Sequence, residues 1–354
     1  MTEICFEQDA FYTTTHGAAY LGDALTYLRQ MQPGSVDLIV TSPPFALKRQ
    51  KEYGNVDAKD YVPWFMKFAV QFKRILKDSG SLVIDIGGTW VRGQPTRSLY
   101  HFELVIALCK TLGFHLAQEF YWYNPSKLPS PAEWVTVRRI RVKDAVDPVW
   151  WLSKAPDPKA SNRRVLKPYS ESMKKLLKRG YKAKLRPSGH DISENFLKDN
   201  KGAIPPNLLR IANTDSNNIY LRQCREHGIK PHPARFPHDL PRFFIKFLTD
   251  PGDLIIDPFA GSNVTGEVAE GLGRRWLAFE LVEEYLEASK FRFPRFCGQL
   301  SLFSPQTGAI ETESIRDDEQ VGKMVSQPVL LESQPQYTTK GSEGEKDKDK
   351  KDKT

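Results

Sequence analysis

The sequence lacks the features of a membrane, secreted or zinc-binding protein. No apolar run reaches the length of a membrane-spanning helix, and the first ten residues contain no basic stretch followed by an apolar one. Its four cysteines, Cys5, Cys109, Cys224 and Cys297, are scattered, without a C-x-x-C pair or a histidine at ligand spacing. This argues against a zinc site or a disulfide framework. We therefore expect a cytoplasmic protein without a metal site or a membrane partner.

Acidic residues are scarce in one internal segment. Between Trp151 and Lys230 there are 18 Lys and Arg residues against 7 Asp and Glu, whereas residues 305–354 contain 8 against 11. The net charge of +8 therefore originates in that segment. A basic cluster with aromatic residues interleaved (Tyr169, Tyr181 and Phe196) favours a module that binds nucleic acid. A solvated basic surface is the alternative.

The apolar patterns predict an α/β fold in several parts. Residues 1–153 and 231–304 carry alternating helix and strand patterns, and the basic region 154–230 is inserted between them. Residues 305–354 are too polar to bury a core, so we predict a disordered tail. The predicted helices are 24–31, 61–76, 102–112, 241–248, one ending near 271, and 283–291. The predicted strands are 37–40, 82–86, 114–123, 146–152, 254–257 and 276–280.

The stretch Asp37 to Phe45, DLIVTSPPF, predicts a buried strand followed by a stiff loop. Proline has a fixed φ and no N–H, so Pro43 and Pro44 end the strand and fix their neighbours. The Ser42 hydroxyl, the Pro43 carbonyl and the Phe45 ring could then accept hydrogen bonds from an exocyclic amine and stack on its ring. Taken alone, the motif could also be a proline turn that caps a strand.

A second motif, Asp257 to Gly266 (DPFAGSNVTG), follows an apolar strand and opens a helix. A glycine-bearing turn of this kind lets a ligand reach the free N–H groups at a helix start. Glu280 ends the next strand, 19 residues after Gly261, which is the spacing of a carboxylate that binds ribose hydroxyls. The loop lacks G-x-G-x-x-G and a P-loop lysine, so we expect a ribose-bearing cofactor other than a dinucleotide or ATP.

Together the two motifs resemble those of amino-methylating DNA methyltransferases. TSPPF resembles their catalytic motif, and DPFAGSNVTG resembles their S-adenosylmethionine-binding motif. The catalytic motif comes first, the basic segment second and the cofactor loop last, which resembles the β order, a circular permutation of the Rossmann-like S-adenosylmethionine-dependent fold. The resemblance runs from about Phe11 to Pro294. It includes FYWYNPSKLPSP, IRVKDAV, RPSGHDI, IPPNLL and HPARFP, and it is strongest with N4-cytosine enzymes.

The resemblance implies roles for individual residues. The implied catalytic residues are Ser42, Pro43, Pro44 and Phe45. The implied cofactor-binding residues are Asp23, Asp257, Phe259, Gly261, Ser262 and Glu280, and Asp23 could instead be only the cap of a helix. Many relatives have Gly and Thr where this chain has Asn263 and Val264. Because asparagine tolerates the left-handed conformation, we expect the turn to be kept, and Thr265 remains available for a hydrogen bond.

Contacts with DNA are also implied. Lys48, Arg49 and Lys51 follow the catalytic loop and would contact phosphate. Target recognition falls to region 154–230, where the first candidates for base-edge contacts are Arg186, Ser188, His190 and Asp191. His232 and Arg235 would build the cofactor-side surface. A solvated loop edge and a structural turn are the respective alternatives for the two groups of DNA-contacting residues.

The implied activity is methylation of cytosine N4 in double-stranded DNA by base flipping and direct transfer. The implied target is CAGCTG, and a monomer would protect it from a cognate restriction endonuclease in a prokaryotic cell. A C5-cytosine mechanism needs a Pro-Cys nucleophile, which is absent. N6-adenine methylation is the alternative, since serine accepts from either amine. An RNA methylase and a catalytically silent nucleic-acid-binding protein are further alternatives.

Overall fold

Nine strands form one mixed sheet in the computed structural model, which describes residues 6–46, 56–91, 93–180, 198–214 and 218–293. The strands are β1 Tyr12–Thr13, β2 Gly17–Leu21, β3 Val36–Thr41, β4 Leu76–Asp85, β5 His115–Tyr123, β6 Val146–Ser153, β7 Leu208–Arg210, β8 Leu254–Asp257 and β9 Arg275–Glu280. The α-helices are α1 Ala24–Gln30, α2 Ala58–Ile75, α3 Tyr100–Lys110, α4 Glu171–Arg179, α5 Ile219–Glu226, α6 Asp239–Leu248, α7 Val264–Gly271 and α8 Glu283–Ser289. None of these helices has the length and apolar character needed to cross a bilayer.

The sheet order is β1-β2-β9-β8-β3-β4-β6-β5-β7. Strands β2, β9, β8, β3 and β4 run parallel, whereas β6 is antiparallel to both β4 and β5. β3, from the first α/β part, lies directly beside β8, from the last, with Leu38 opposite Ile255. The loops that carry the two predicted motifs therefore leave the sheet side by side, as the permuted order requires.

The central strands are buried on both faces, as expected for parallel strands in an α/β protein. All six residues of β3 are buried. Ile39 packs into a core that includes residues of α1, α2 and α3, whereas Leu38 and Val40 pack into a second core with residues of α6 and α7. The sheet thus fixes the position of the Ser42 to Phe45 loop from two sides.

Elements of the basic region also join the fold. β7 extends the sheet beside β5, and α5 packs Tyr220 and Cys224 against Ala288 and Phe291. Neither β7 nor the helices α4 and α5 is predicted by the sequence, because β7 has only three residues and the two helices are short and rich in charge. Residues 198–207, predicted as a loop, contain no helix or regular strand. The predicted loop 186–190 and the predicted tail 305–354 lie outside the described residues.

Candidate active site

Four neighbouring strands end at one edge of the sheet and surround a cavity of about 640 Å³. In the order of the sheet these strands are β9, β8, β3 and β4. Glu280, Asp257 and Asp85 are the last residues of β9, β8 and β4, and Ser42 directly follows β3. The carboxyl ends of parallel strands are where α/β folds bind their ligands. Both predicted motifs therefore meet at a single site.

The predicted catalytic loop forms one wall of this cavity. Ser42, Pro43, Pro44 and Phe45 all line it. Gly87 allows the Phe45 ring to take its place, because a Cβ at this glycine would lie 2.8 Å from the ring and 2.8 Å from the Asp147 carboxylate. Phe45 and Ser42 therefore border the same cavity.

Asp85 is a site residue to which the sequence assigned no role. It is 5 % exposed, lines the cavity, and accepts a hydrogen bond of 3.2 Å from the Ser42 hydroxyl. Its other oxygen, Oδ1, is buried and has no hydrogen-bond partner among the described residues. Burial, reinforced by the charge of Asp147, raises the pKa of Asp85 to about 8, although the bond from Ser42 and the charge of Lys127 act in the opposite direction.

Asp147 and Lys127 complete this polar end of the cavity. Both line it, and the Lys127 ammonium lies 2.8 Å from the Asp147 carboxylate. The signal that could have revealed Asp85 is an apolar strand that ends in Asp directly before Gly87 and Gly88. Nothing in the local pattern marks Asp147 or Lys127, because only the antiparallel pairing of β6 with β4 brings Asp147 to the site.

Asp257 holds the second loop from behind and does not line the cavity. Its Oδ1 accepts hydrogen bonds from the Thr41 hydroxyl (2.8 Å) and the Phe259 N–H (3.2 Å), and its Oδ2 accepts one from Thr265 (2.7 Å). Burial raises its pKa to about 6, against the effect of these hydrogen bonds. Asp257 therefore ties β8 to β3 and to the start of α7, and the Thr265 hydroxyl, which the sequence left available, is used in this bond.

The loop after Asp257 presents backbone to the cavity. Gly261 has φ +53°, and its N–H donates to Glu280 Oε2 at 2.7 Å. A Cβ at Gly261 would lie 3.1 Å from the His232 ring, so a side chain here would be both strained and crowded. Asn263 has φ +55°, and its side chain accepts from the Gly266 N–H at 3.0 Å. The expectation that asparagine keeps this turn is confirmed.

The remaining predicted cofactor residues surround the same space. Asp23 lines the cavity and also caps α1, since its side chain accepts from the Leu25 N–H at 3.0 Å. The two alternatives for this residue are thus compatible. Glu280 accepts a second hydrogen bond from the Val282 N–H (2.9 Å), and burial raises its pKa. Gly261, Ser262 and Phe259 line the cavity as well.

An aromatic wall supports Phe259. Its ring centroid lies 5.7 Å from that of Trp64 and 5.0 Å from that of Phe68, both on α2. Helical spacing assigns Phe68 to the core, and it is buried there, but Phe68 and Trp64 also line the cavity. Periodicity cannot distinguish an aromatic residue that only fills the core from one whose edge reaches a cavity.

The predicted DNA-contacting residues cannot be placed. Lys48, Arg49, Lys51, Arg186, Ser188, His190 and Asp191 lie outside the described residues. His232 and Arg235, expected on the cofactor-side surface, do line the cavity.

Comparison with known proteins identifies the family. Residues 36–291 match the N6/N4 methyltransferase family, described as DNA methylase. The chain belongs to this DNA methylase family. It is 53% identical over 291 residues to the type II methyltransferase M.PvuII of Proteus hauseri, covering 81% of this chain and 87% of that protein. It is 26% identical over 271 residues to M.BglII of Bacillus subtilis, covering 76% and 66%.

A solved structure agrees with these sequence relationships. The PvuII DNA methyltransferase (cytosine-N4-specific) superposes with a TM-score of 0.68 at 47% identity, covering 82% of this chain and 90% of that one. The predicted family, the Rossmann-like α/β fold, the enzyme class (a DNA methyltransferase) and the cofactor, S-adenosylmethionine, are confirmed.

The residues of the cavity fit this cofactor. Gly261 lines the cavity without a side chain, which allows a ligand to approach its backbone. Glu280 uses its two oxygens for one backbone N–H each and keeps lone pairs for ribose hydroxyls. Phe259, Trp64 and Phe68 supply an apolar wall. Asp257, in contrast, is suited to hold the loop rather than to touch the cofactor.

Proposed function

We propose that this DNA methyltransferase methylates the N4 amino group of cytosine in double-stranded DNA. One observation carries the proposal: the Ser42 to Phe45 loop and the Gly261 loop lie on adjacent strands and share one cavity. The choice of cytosine is supported by the similarity to a cytosine-N4-specific enzyme. Ser42 and Phe45 line a cavity rather than an outer face of the protein, and an enzyme that acts on a base atom in a duplex must take the base out of the stack, so we propose base flipping.

In the proposed reaction, the Ser42 oxygen and the Pro43 carbonyl accept hydrogen bonds from the amino group, and Phe45 stacks on the ring. These bonds favour a pyramidal nitrogen, whose lone pair is withdrawn from the ring and free to attack. The Ser42 O–H donates to Asp85, so its oxygen lone pairs face the amine. When bound, S-adenosylmethionine supplies an electrophilic methyl group on a sulfonium leaving group.

The proton that the amine must lose needs an acceptor. Methyl transfer would leave N4 positively charged, so N4 would have to release one proton. Ser42 can pass that proton to Asp85, whose carboxylate is buried within hydrogen-bond distance of the hydroxyl. We therefore assign Ser42 and Asp85 to a proton relay and the Gly261 and Glu280 side of the cavity to the cofactor.

We also propose a recognition sequence and a biological role for the enzyme. By similarity to M.PvuII, we propose that region 154–230 reads the palindrome CAGCTG and that Arg186, Ser188, His190 and Asp191 contact base edges. Lys48, Arg49 and Lys51 would contact phosphate. The enzyme would act as a monomer in the bacterial cytoplasm, visiting each strand in turn, and would protect this site from a cognate restriction endonuclease.

The direct test is to incubate the protein with plasmid DNA and labelled S-adenosylmethionine, digest to nucleosides and identify the modified base by mass. We expect N4-methylcytosine and resistance to cleavage at CAGCTG. Ser42→Ala should abolish the product. Ser35→Ala, which removes a hydroxyl at the opposite end of the same strand, should not. N6-methyladenine instead would reassign the base, and modification of RNA but not DNA would reassign the substrate.

A further inference from the structure

The connection between β5 and β6, residues 124–145, is unusually long for an antiparallel hairpin. Hairpin loops usually contain about two to five residues, and much longer ones tend to be functional. This connection begins at the cavity, because Asn124 and Lys127 line it. We call it the hairpin loop.

Two ion pairs fasten the hairpin loop to the rest of the protein, and a lysine joins its two arms. Lys127 pairs with Asp147 at 2.8 Å, and the Lys143 ammonium donates to the Pro125 and Lys127 carbonyls at 3.3 Å and 3.1 Å. Asp144 pairs with Arg97 at 2.9 Å. The loop is therefore held in place by contacts near both of its ends.

Although it is fastened, the loop exposes aliphatic side chains. Leu128 is 78% exposed, Val142 84%, Val137 70% and Ile140 51%. The fold leaves most of the surface of these side chains in water, and a cluster of exposed aliphatic residues in one segment points to a binding partner. Leu128 is the next residue after Lys127, which lines the cavity, so its backbone continues directly from that wall.

The charge of the exposed part identifies the kind of partner. Arg138, Arg139 and Lys143 are exposed, whereas Glu133 is the only exposed acidic residue of the hairpin loop. Exposed cations beside aliphatic side chains fit a DNA duplex, because the cations bind phosphate and an aliphatic side chain can enter the base stack. A purely apolar surface would instead have suited a second protein.

We infer that Leu128 enters the space that the target base leaves when it is extruded into the cavity, while Arg138 and Arg139 hold the neighbouring phosphates. This inference rests on the proposed function and deepens it. Pro129 restricts the backbone of Leu128, so little freedom is lost when the side chain inserts. Leu128 thereby stabilises the extruded state without touching the reacting atoms.

The test compares Leu128→Ala with Ile106→Ala, which truncates another exposed aliphatic residue (59% exposed, against 78% for Leu128) on α3, outside the cavity. The substrates are a duplex with CAGCTG and the same duplex with adenine opposite the modified cytosine. On the paired duplex, Leu128→Ala should lower kcat/KM about tenfold, the loss expected for one aliphatic contact. A mispaired base is cheaper to extrude, so on that duplex the variant should come within about twofold of wild type. Ile106→Ala should match wild type on both.

The outcomes separate the two proposals. A wild-type protein that modifies no DNA would overturn the proposed function. If the wild-type protein is active and Leu128→Ala equals it on both duplexes, only the inference that Leu128 fills the space of the extruded base would be overturned. An equal loss on both duplexes would make Leu128 a general contact and also reject it. A sedimentation shift in Leu128→Ala without a change in activity would assign the surface to self-association and reject the DNA role.

Discussion

Two buried aspartates flank β3, the strand that leads into the Ser42 to Phe45 loop, and they differ in their hydrogen bonding. Asp257 ends β8 on one side of β3, and Asp85 ends β4 on the other. Both are almost inaccessible, at 2% and 5% exposure. Asp257 accepts three hydrogen bonds, distributed over both oxygens. Asp85 accepts one, from Ser42, and its Oδ1 has no partner among the described residues.

The difference fits a structural role for Asp257 and the proposed role in the reaction for Asp85. Burial raises the pKa of both carboxyls, but the hydrogen bonds to Asp257 limit the rise to about 6, whereas Asp85 reaches about 8 beside Asp147. Buried polar atoms are normally satisfied. An unsatisfied carboxylate oxygen that lines a cavity is therefore positioned for a substrate or a proton.

Of substitutions at the two aspartates, Asp85→Asn is expected to have the larger effect on turnover. The amide keeps the shape of the side chain and can still accept from Ser42, but it cannot take a proton from the relay. We expect kcat to fall about 100-fold or more, while the Kd values for S-adenosylmethionine and for duplex DNA change little. Single-turnover kinetics and calorimetry would measure these quantities. A variant with normal kcat would remove Asp85 from the mechanism.

The residues at this edge of the sheet show which parts of the site can be predicted from the sequence. Ser42, Phe45, Gly261 and Glu280 are predictable because each lies in a local motif at the end of an apolar strand. Asp147 is not, because it enters the site through the pairing of distant strands, and the basic segment does not reveal that β7 extends the sheet. Local patterns predict strands and the loops that follow them. They do not predict which side chains from other strands share the resulting cavity.

A second test varies the pH. If the ionised form of Asp85 receives the proton, kcat should rise as pH increases through its pKa of about 8, by roughly tenfold between pH 7 and pH 9 for a single titration. The group's contribution to stability runs in the opposite direction. Its folded-state pKa is raised, so this contribution is greatest below about pH 4 and is lost as pH rises toward 8.

The pH test has two matched variants. Asp85→Asn should remove both the rise in kcat and the corresponding fall in stability. Asp147→Asn should move the kcat profile to lower pH, because it removes the neighbouring charge that helps to raise the pKa of Asp85. A wild-type profile that is flat from pH 7 to pH 9 would contradict the assignment of Asp85 as proton acceptor.

The smallest effect on turnover is expected for Asp257→Asn. The amide has a single acceptor oxygen, so it cannot accept from Thr41 and Thr265 on separate oxygens, and the hydroxyl facing its NH₂ must turn round. We expect the free energy of unfolding to fall by about 1–3 kcal/mol, measured by chemical denaturation. The Kd for S-adenosylmethionine should weaken several-fold because the Gly261 loop is less firmly held. Once the cofactor is saturating, kcat should stay close to wild type.

Thr265→Ser, which keeps the hydroxyl, should reproduce wild-type affinity, whereas Thr265→Val should resemble Asp257→Asn. A large loss of kcat at saturating cofactor would mean that Asp257 takes part in the chemistry, and the two aspartates would then share one role.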